Sequence, residues 1–407
     1  MKFYLNVVRQ MKNKWMKKAG ILLAACVLPA GVGSVSASYT VSAAEETAMP
    51  EYMTEAVDAP ELPGVACIGQ MKLDFAECYE VYFYENDYAL IRIYDSGDFL
   101  LVPENMETLE GLDDNIVVLY QPLDRIYLQA TSAMALFRGL DSLDNIKMAG
   151  TQANGWYIDE TVEKMENGEI LFAGKYSEPD YEMLVEEECD LALESTMLLH
   201  TPKVQEMIEM LGIPVMIERA SYETHPLART EWIKLYGAMM DKEQEAYDFF
   251  EEQKKVMDEM EGMEKTGKTV SFFYINSDGT LVVRKKSDYV ASMIDIAGAD
   301  YVYSDNWKDD DNGANVYLTM EEFYATALNA DYLIYNATIA DELGSVEELL
   351  AQSELFADFK AVKEGNVWTT DKRLFQSTDT VAQLITDIHN MLLDENLDRM
   401  TFIKKVN

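Results

Sequence analysis

The sequence predicts an α/β protein of two similar lobes, and three observations carry the prediction. Two stretches repeat one pattern: Asp180-Tyr-Glu182-Met-Leu-Val-Glu-Glu-Glu-Cys-Asp190 and Thr319-Met-Glu321-Glu322-Phe-Tyr-Ala-Thr-Ala-Leu-Asn-Ala-Asp331 each run from an acidic helix start to an aspartate that opens a short apolar strand. Acidic residues in a first turn face the positive end of the helix dipole, and an unbroken apolar run suits a parallel strand buried on both faces. Short apolar segments alternate with helical ones from Arg125 onward. Finally, 407 residues that are 48% hydrophobic and 11% aromatic exceed one hydrophobic core and supply enough apolar surface for two. Two such lobes facing each other enclose a cleft.

The elements follow in order. Lys12, Lys14, Lys17 and Lys18 precede an apolar run from Ala19 to Val35, so residues 1–43 read as an export signal. Two processing routes stay open: Leu23-Ala-Ala-Cys26 has the form of a lipoprotein box, which would place a lipid on Cys26, whereas Val35-Ser-Ala37 and Val41-Ser-Ala43 suit ordinary signal peptidase. The apolar run is shorter than the ~20 residues that a spanning helix needs. Residues 44–63 are acidic, proline-punctuated and aperiodic, and are expected to form a flexible tether. Residues 64–120 form a β-rich extension in which Tyr79 to Val102 alternates and is broken at Glu85-Asn-Asp and Asp95-Ser-Gly-Asp98, the pattern of a β-meander. Cys67 and Cys78 are a candidate disulfide, and Cys189 is expected to be a small buried hydrophobe.

The first lobe is expected over residues 121–225, with strands at Arg125–Leu128, Lys147–Ala149, Leu191–Leu193 and Pro214–Ile217. Ligands of open α/β sheets lie beyond the carboxyl ends of the strands, which points to the loops at 129–133, 150–156, 194–200 and 219–225. Over 226–265, Trp232, Leu235, Tyr236, Met239, Met240, Tyr247 and Phe250 recur at helical spacing, giving one long connecting helix or two with a break near Asp241. The second lobe, 266–407, opens with Thr269–Ile275, continues through a helix over Ser287–Ala297, and adds strands at Tyr332–Tyr335 and Asn366–Trp368. The fold class is therefore two Rossmann-like α/β lobes joined by a long connecting helix, with an N-terminal β-meander extension.

Charge and missing motifs narrow the function. The chain carries 33 basic against 73 acidic residues, a net −40; without the first 43 residues and their six basic groups, 27 against 73 leaves −46. Such a surface repels nucleic acid and anionic lipid. No Gly-x-Ser-x-Gly, His-Glu-x-x-His, Gly-x-x-x-x-Gly-Lys-Ser/Thr or interior Gly-x-Gly-x-x-Gly occurs, so α/β-hydrolase, zinc-protease, P-loop and dinucleotide chemistry have no support; paired carboxylates of the glycosidase kind abound in so acidic a chain, but without an activated nucleophile or metal constellation an enzyme is not expected. His200 and His225 lie in first-lobe loops without the partner set of a transition-metal cage, and His389 sits in a late amphipathic helix; no resident metal or cofactor is expected.

The segments Leu123-Asp-Arg-Ile-Tyr127 with Thr131-Ser-Ala-Met134, Gly174-Lys-Tyr-Ser-Glu-Pro-Asp-Tyr-Glu182, Leu211-Gly-Ile-Pro-Val215, His225-Pro-Leu-Ala-Arg-Thr-Glu-Trp-Ile-Lys234 and Phe359-Lys-Ala-Val-Lys-Glu-Gly-Asn-Val-Trp368 occur in that order. Together they resemble one family, the substrate-binding proteins of importers for iron complexes, haem and cobalamin. The resemblance covers about Gln121 to the carboxyl terminus. It implies an exported, monomeric receptor at the outer face of the membrane that hands a chelate to an ABC permease with an ATPase behind it. It also implies a docking glutamate on each lobe, at Glu182 and at Glu321, with Glu322 a competitor for the second because Glu182 precedes Asp190 by eight residues and Glu321 precedes Asp331 by ten. Two carboxylates on separate lobes, read by bidentate guanidinium groups, report lobe spacing. Aromatic and cationic side chains near the strand ends, namely Trp156, Tyr176, Tyr222, His225, Arg229, Tyr274, Trp307 and Arg373, are the candidates to stack on a flat macrocycle or pair with an anionic chelate.

Overall fold

The computed structural model describes residues 49–260, 265–303 and 314–407. The export signal, Cys26 and Trp307 lie outside these residues. The chain divides at Met49, and Pro50–Asn407 forms one compact unit that contains everything described below.

Three sheets build this unit. The first comprises β1 (Met53–Thr54), β2 (Cys67–Met71), β3 (Tyr79–Tyr84), β4 (Ala89–Ile93), β5 (Gly97–Val102) and β6 (Ile116–Tyr120), in sequential order. Strands β1 to β5 pair antiparallel as the alternation predicts, but β6 runs parallel to β5, so the layer is more than a meander. The expected tether is corrected over its second half: Met53 pairs with Met71, Leu62 is buried, and the Tyr84 hydroxyl donates to the Pro60 carbonyl. The Cys67–Cys78 pairing is corrected as well. Cys67 sits opposite Tyr84 in the β2–β3 ladder while Cys78 precedes the far end of β3, and both thiols are free.

In the first lobe β7 (Ile126–Leu128), β8 (Ile146–Ala149), β9 (Leu171–Phe172), β10 (Leu191–Ser195) and β11 (Val215–Glu218) form an all-parallel sheet of order β11-β10-β7-β8-β9. The crossovers are α1 (Ala133–Gly139), α2 (Asp159–Glu166), α3 (Tyr181–Glu186) and α4 (Pro202–Met210). Strand order reverses between β7 and β10, the switch point at which such sheets place ligands.

The connector is the broken alternative, α5 (Pro226–Met239) and α6 (Glu243–Asp258), with Asp241 at φ 55° between them. All fourteen residues of α5 are buried. The two helices touch closely at Gly237, where a Cβ would lie 2.5 Å from the Ala246 Cβ.

The second lobe is a mixed sheet made of β12 (Thr269–Ile275), β13 (Leu281–Arg284), β14 (Asp300–Tyr301), β15 (Asn315–Leu318), β16 (Tyr332–Tyr335), β17 (Val367–Thr370) and β18 (Ile403–Lys405). Its helices are α7 (Tyr289–Ile296), α8 (Met320–Ala327), α9 (Val346–Gln352), α10 (Lys360–Lys363) and α11 (Val381–Leu393). Strands β12, β16 and β17 are parallel, whereas β13, β15 and β18 are antiparallel additions. The lobes therefore share a unit rather than a whole sheet.

That unit has a physical cause. The Asp190 carboxylate, just before β10, accepts the Asp124 and Arg125 N–H groups ahead of the neighbouring β7, each at 2.9 Å. Asp331, just before β16, accepts the Thr269 N–H and hydroxyl at the start of the neighbouring β12, at 2.8 and 2.9 Å. Each aspartate ties the first turn of its own strand to the adjacent one, and this is the repeat visible in the sequence. The electrostatics differ. Burial raises the Asp190 pKa despite its N–H donors. Burial acts the same way on Asp331, but the Lys360 ammonium at 2.6 Å and the Thr269 donors outweigh it and hold that carboxyl below its ordinary value.

Candidate functional site

The site is built from the loops that leave the carboxyl ends of both sheets. In the first lobe these are 129–132, 150–157, 173–180, 196–200 and 219–225; in the second they are 276–280, 336–345 and 371–380. The two sets meet on one side. Gln376 accepts the Tyr157 N–H and donates to the Gly155 carbonyl, both at 2.8 Å, and Arg138 of α1 pairs with the buried Asp379. The Thr230 hydroxyl on α5 donates to the Thr378 carbonyl at 2.8 Å.

The candidate ligand residues divide sharply. Tyr222 is 48% exposed in the loop after β11, with the Arg219 guanidinium 4.4 Å over its ring. Tyr176 is half-buried in the loop after β9. Tyr274, near the carboxyl end of β12, is buried, and its pKa is raised by that burial and by neighbouring Tyr317. Others are occupied elsewhere. Trp156 is buried with its indole N–H donating to the Thr151 carbonyl, so it packs the loop that carries it. The His225 ring stacks on Phe75 at 4.2 Å, and its Nδ1 accepts the Leu227 N–H as the cap of α5. Arg229 is buried, its guanidinium 4.2 Å over the ring of Tyr289 on α7, and it lines a small cavity at the lobe junction with Val290, Phe375 and Thr378. Arg373 is held bidentate by Asp371, at 3.0 and 3.3 Å.

Sequence reasoning missed two groups. Met197 and Leu199 after β10, Ile339 after β16 and Tyr317 on β15 are large apolar side chains exposed near the carboxyl ends. For Met197, Leu199 and Ile339 the signal was available: large apolar side chains in segments that follow the end of a strand. The other group is buried carboxylates at the ends of adjacent strands. Glu194 on β10 is fully buried, neither oxygen has a hydrogen-bond partner, and burial pushes its pKa up to about 8. Glu218 on β11 is pushed up to about 7 by burial, opposed by Arg229 and by the Ala220 N–H and Ser132 hydroxyl. Among the described residues no group of three or more His, Cys, Asp or Glu side chains is arranged to hold a metal ion, and no helix is long and apolar enough to cross a membrane.

The two acidic helix starts coincide once they are counted from their caps. Asp180 caps α3 by accepting the Met183 N–H, and Glu182 is the second helical residue. Thr319 caps α8, Glu321 is again the second helical residue, and the Glu322 carboxylate closes a capping box by accepting the Thr319 N–H at 2.8 Å. The spacing mismatch to Asp190 and Asp331 arises because α3 has six residues and α8 has eight. Glu182 and Glu321 are both exposed, whereas Glu322 serves its own helix. Helix α3 follows the loop beyond β9, and α8 follows β15, whose Leu318 pairs with Leu281 next to the carboxyl end of β12. Both glutamates therefore stand on the carboxyl-end side of their sheets.

Two α/β lobes whose strand-end loops meet on one side and whose connection is helical are the plan of a periplasmic binding protein. Residues 139–374, more than half of the chain, match the family model described as periplasmic binding protein, and the chain belongs to that family. It is similar to two uncharacterized lipoproteins of Methanocaldococcus jannaschii, one 25% identical over 69% of this chain and 68% of that protein, the other 24% identical over 88% and 90%. Among solved structures it is similar to the triscatecholate siderophore binding protein FeuA of Bacillus subtilis, at 17% identity and TM-score 0.53 over 69% of this chain and 95% of that one. It is also similar to the periplasmic heme binding protein HutB of Vibrio cholerae, at 15% identity and TM-score 0.52 over 64% and 97%.

Proposed function

We propose that the protein is the extracytoplasmic receptor of an ABC importer, capturing an iron complex in the cleft and delivering it to the permease without chemistry on the ligand. Haem and cobalamin are the alternative cargoes of the same mechanism. The observation that carries this reading is the equivalence of Glu182 and Glu321: two exposed carboxylates at the same position of two capped helices, one on each lobe, each on the carboxyl-end side of its sheet. Paired arginines on a permease can grip both only when the lobes stand at the right separation. Tyr222, with Met197, Leu199 and Ile339, offers the apolar contact that retains a bulky chelate. The lipoprotein relatives support an anchor at Cys26, which would hold the receptor beside its permease.

Reversing both glutamates (Glu182→Arg with Glu321→Arg) is expected to abolish uptake by whole cells and to leave ligand affinity of the purified protein unchanged. Normal uptake by the double variant would overturn the docking assignment.

A further inference from the structure

The sheet of residues 50–120 lies before the start of the family match at 139, and FeuA and HutB are covered almost to their ends while leaving about a third of this chain unmatched. The 24% identical relative, aligned over 88% of the chain, takes in nearly all of this sheet. What the sheet does is written in its contacts. The loop joining β2 and β3 presents five successive N–H groups to two buried carboxylates. Glu231 on α5 accepts from Asp74, Phe75 and Ala76 at 2.7 to 2.8 Å, and Glu223 accepts from Glu77 and Cys78 at 3.0 Å. Glu223 also accepts the Trp232 indole N–H at 2.9 Å.

Glu223 is not only an anchor for that strap. It belongs to the loop after β11, next to the exposed Tyr222. A second part of the same sheet grips the opposite end of the loop: in the β4–β5 turn the Ser96 hydroxyl donates to the Ile217 carbonyl at 2.8 Å, and Asp95 pairs with Arg219 at 3.5 Å. Arg219 in turn covers the Tyr222 ring. We infer that the N-terminal sheet is part of the binding apparatus: it positions the loop Arg219–Thr224 at the cleft, with Asp95, Ser96 and Glu223 as positioning residues for Tyr222 and Arg219. This rests on the reading of Tyr222 as a ligand contact. A loop held at both ends has less freedom to lose when a ligand arrives, so the grip converts directly into affinity.

The test uses the full chain with Asp95→Asn and Ser96→Ala combined, since Asp95 is largely exposed and the fold should survive. Hydrogen exchange followed by mass spectrometry reads the Tyr222 and Glu223 amides, which bond to the Arg219 and Ala220 carbonyls. These should exchange at least tenfold faster while α5 amides stay protected. Affinity for whichever of haemin, cyanocobalamin and ferrioxamine B the unaltered protein retains should fall about tenfold. Glu231→Gln serves as the control, speeding exchange at 74–76 and leaving 219–224 unchanged. Unchanged loop exchange in the double variant, a loosened loop with undiminished affinity, or equal loosening of the loop by Glu231→Gln would each overturn the inference. If the unaltered protein retains none of the three probes, the chelate-receptor reading fails, and the exchange data alone decide whether the sheet positions the loop.

Discussion

Glu194 shows most clearly what a single residue contributes and costs. Its carboxyl is fully buried without a partner, and burial lifts its pKa from an ordinary 4.5 to about 8. The unfolded chain therefore holds fewer protons than the folded chain between these values. Stability is fully present below pH ~4.5 and is lost as pH rises towards 8. Replacing Glu194 by Gln removes the ionisable group, and thermal denaturation should show a gain on the order of 1 to 3 kcal/mol at pH 8 and little change at pH 5. A variant no more stable than the parent at pH 8 would show that the carboxylate finds solvation in the folded protein. The ligand candidates teach a related lesson. Residue type and loop position selected Tyr222, which is exposed, and equally Trp156 and His225, whose rings are engaged by Thr151 and Phe75, and Arg229, which is buried over the Tyr289 ring. Those partners come from other elements, or from a turn whose direction is set only in three dimensions, so no local pattern reveals them.

The helix starts were the most legible feature of the sequence, because capping is local. Thr319 and Glu322 are three residues apart, the spacing of a capping box, and Asp180 caps α3 by accepting the Met183 N–H alone. This assigns Glu322 to its helix and leaves Glu321 to face outward. Replacing Glu322 by Ala should cost about 1 kcal/mol in chemical denaturation and leave uptake intact, whereas Glu321→Arg should impair uptake with little loss of stability. The opposite pattern would move the docking role to Glu322. Helix α5 was legible as a helix from Trp232, Leu235, Tyr236 and Met239, yet its burial was not. Glu231 and Lys234 are charged yet buried because residues 72–78 receive them, Glu231 accepting the N–H groups of residues 74–76 and Lys234 bonding to the Lys72 carbonyl and to Glu231, while Arg229 is buried against Tyr289 of α7.

At the scale of the molecule, the two-lobed plan was visible because each lobe repeats the aspartate that ties one strand to the next. The extra strands of the second lobe were not read: β13 folds back on β12 through the turn Asn276–Thr280, whose Asp278-Gly279 was an available hairpin signal, whereas β15 and β18 are short pieces whose pairing depends on distant neighbours. The N-terminal sheet was recognisable as β-structure from its alternation, while its grip on the connector rests on backbone N–H groups that carry no sequence signature. The proposed action is to hold a chelate between lobes whose separation a permease can read. Native mass spectrometry of the secreted protein, incubated with haem, cobalamin and ferric siderophores, tests this most directly. The expected result is a one-to-one adduct with one of them, retained by the unaltered protein and weakened when Tyr222 is truncated. Failure to retain any of the three classes, under conditions where the protein is folded, would contradict the assignment of the cleft to a metal chelate.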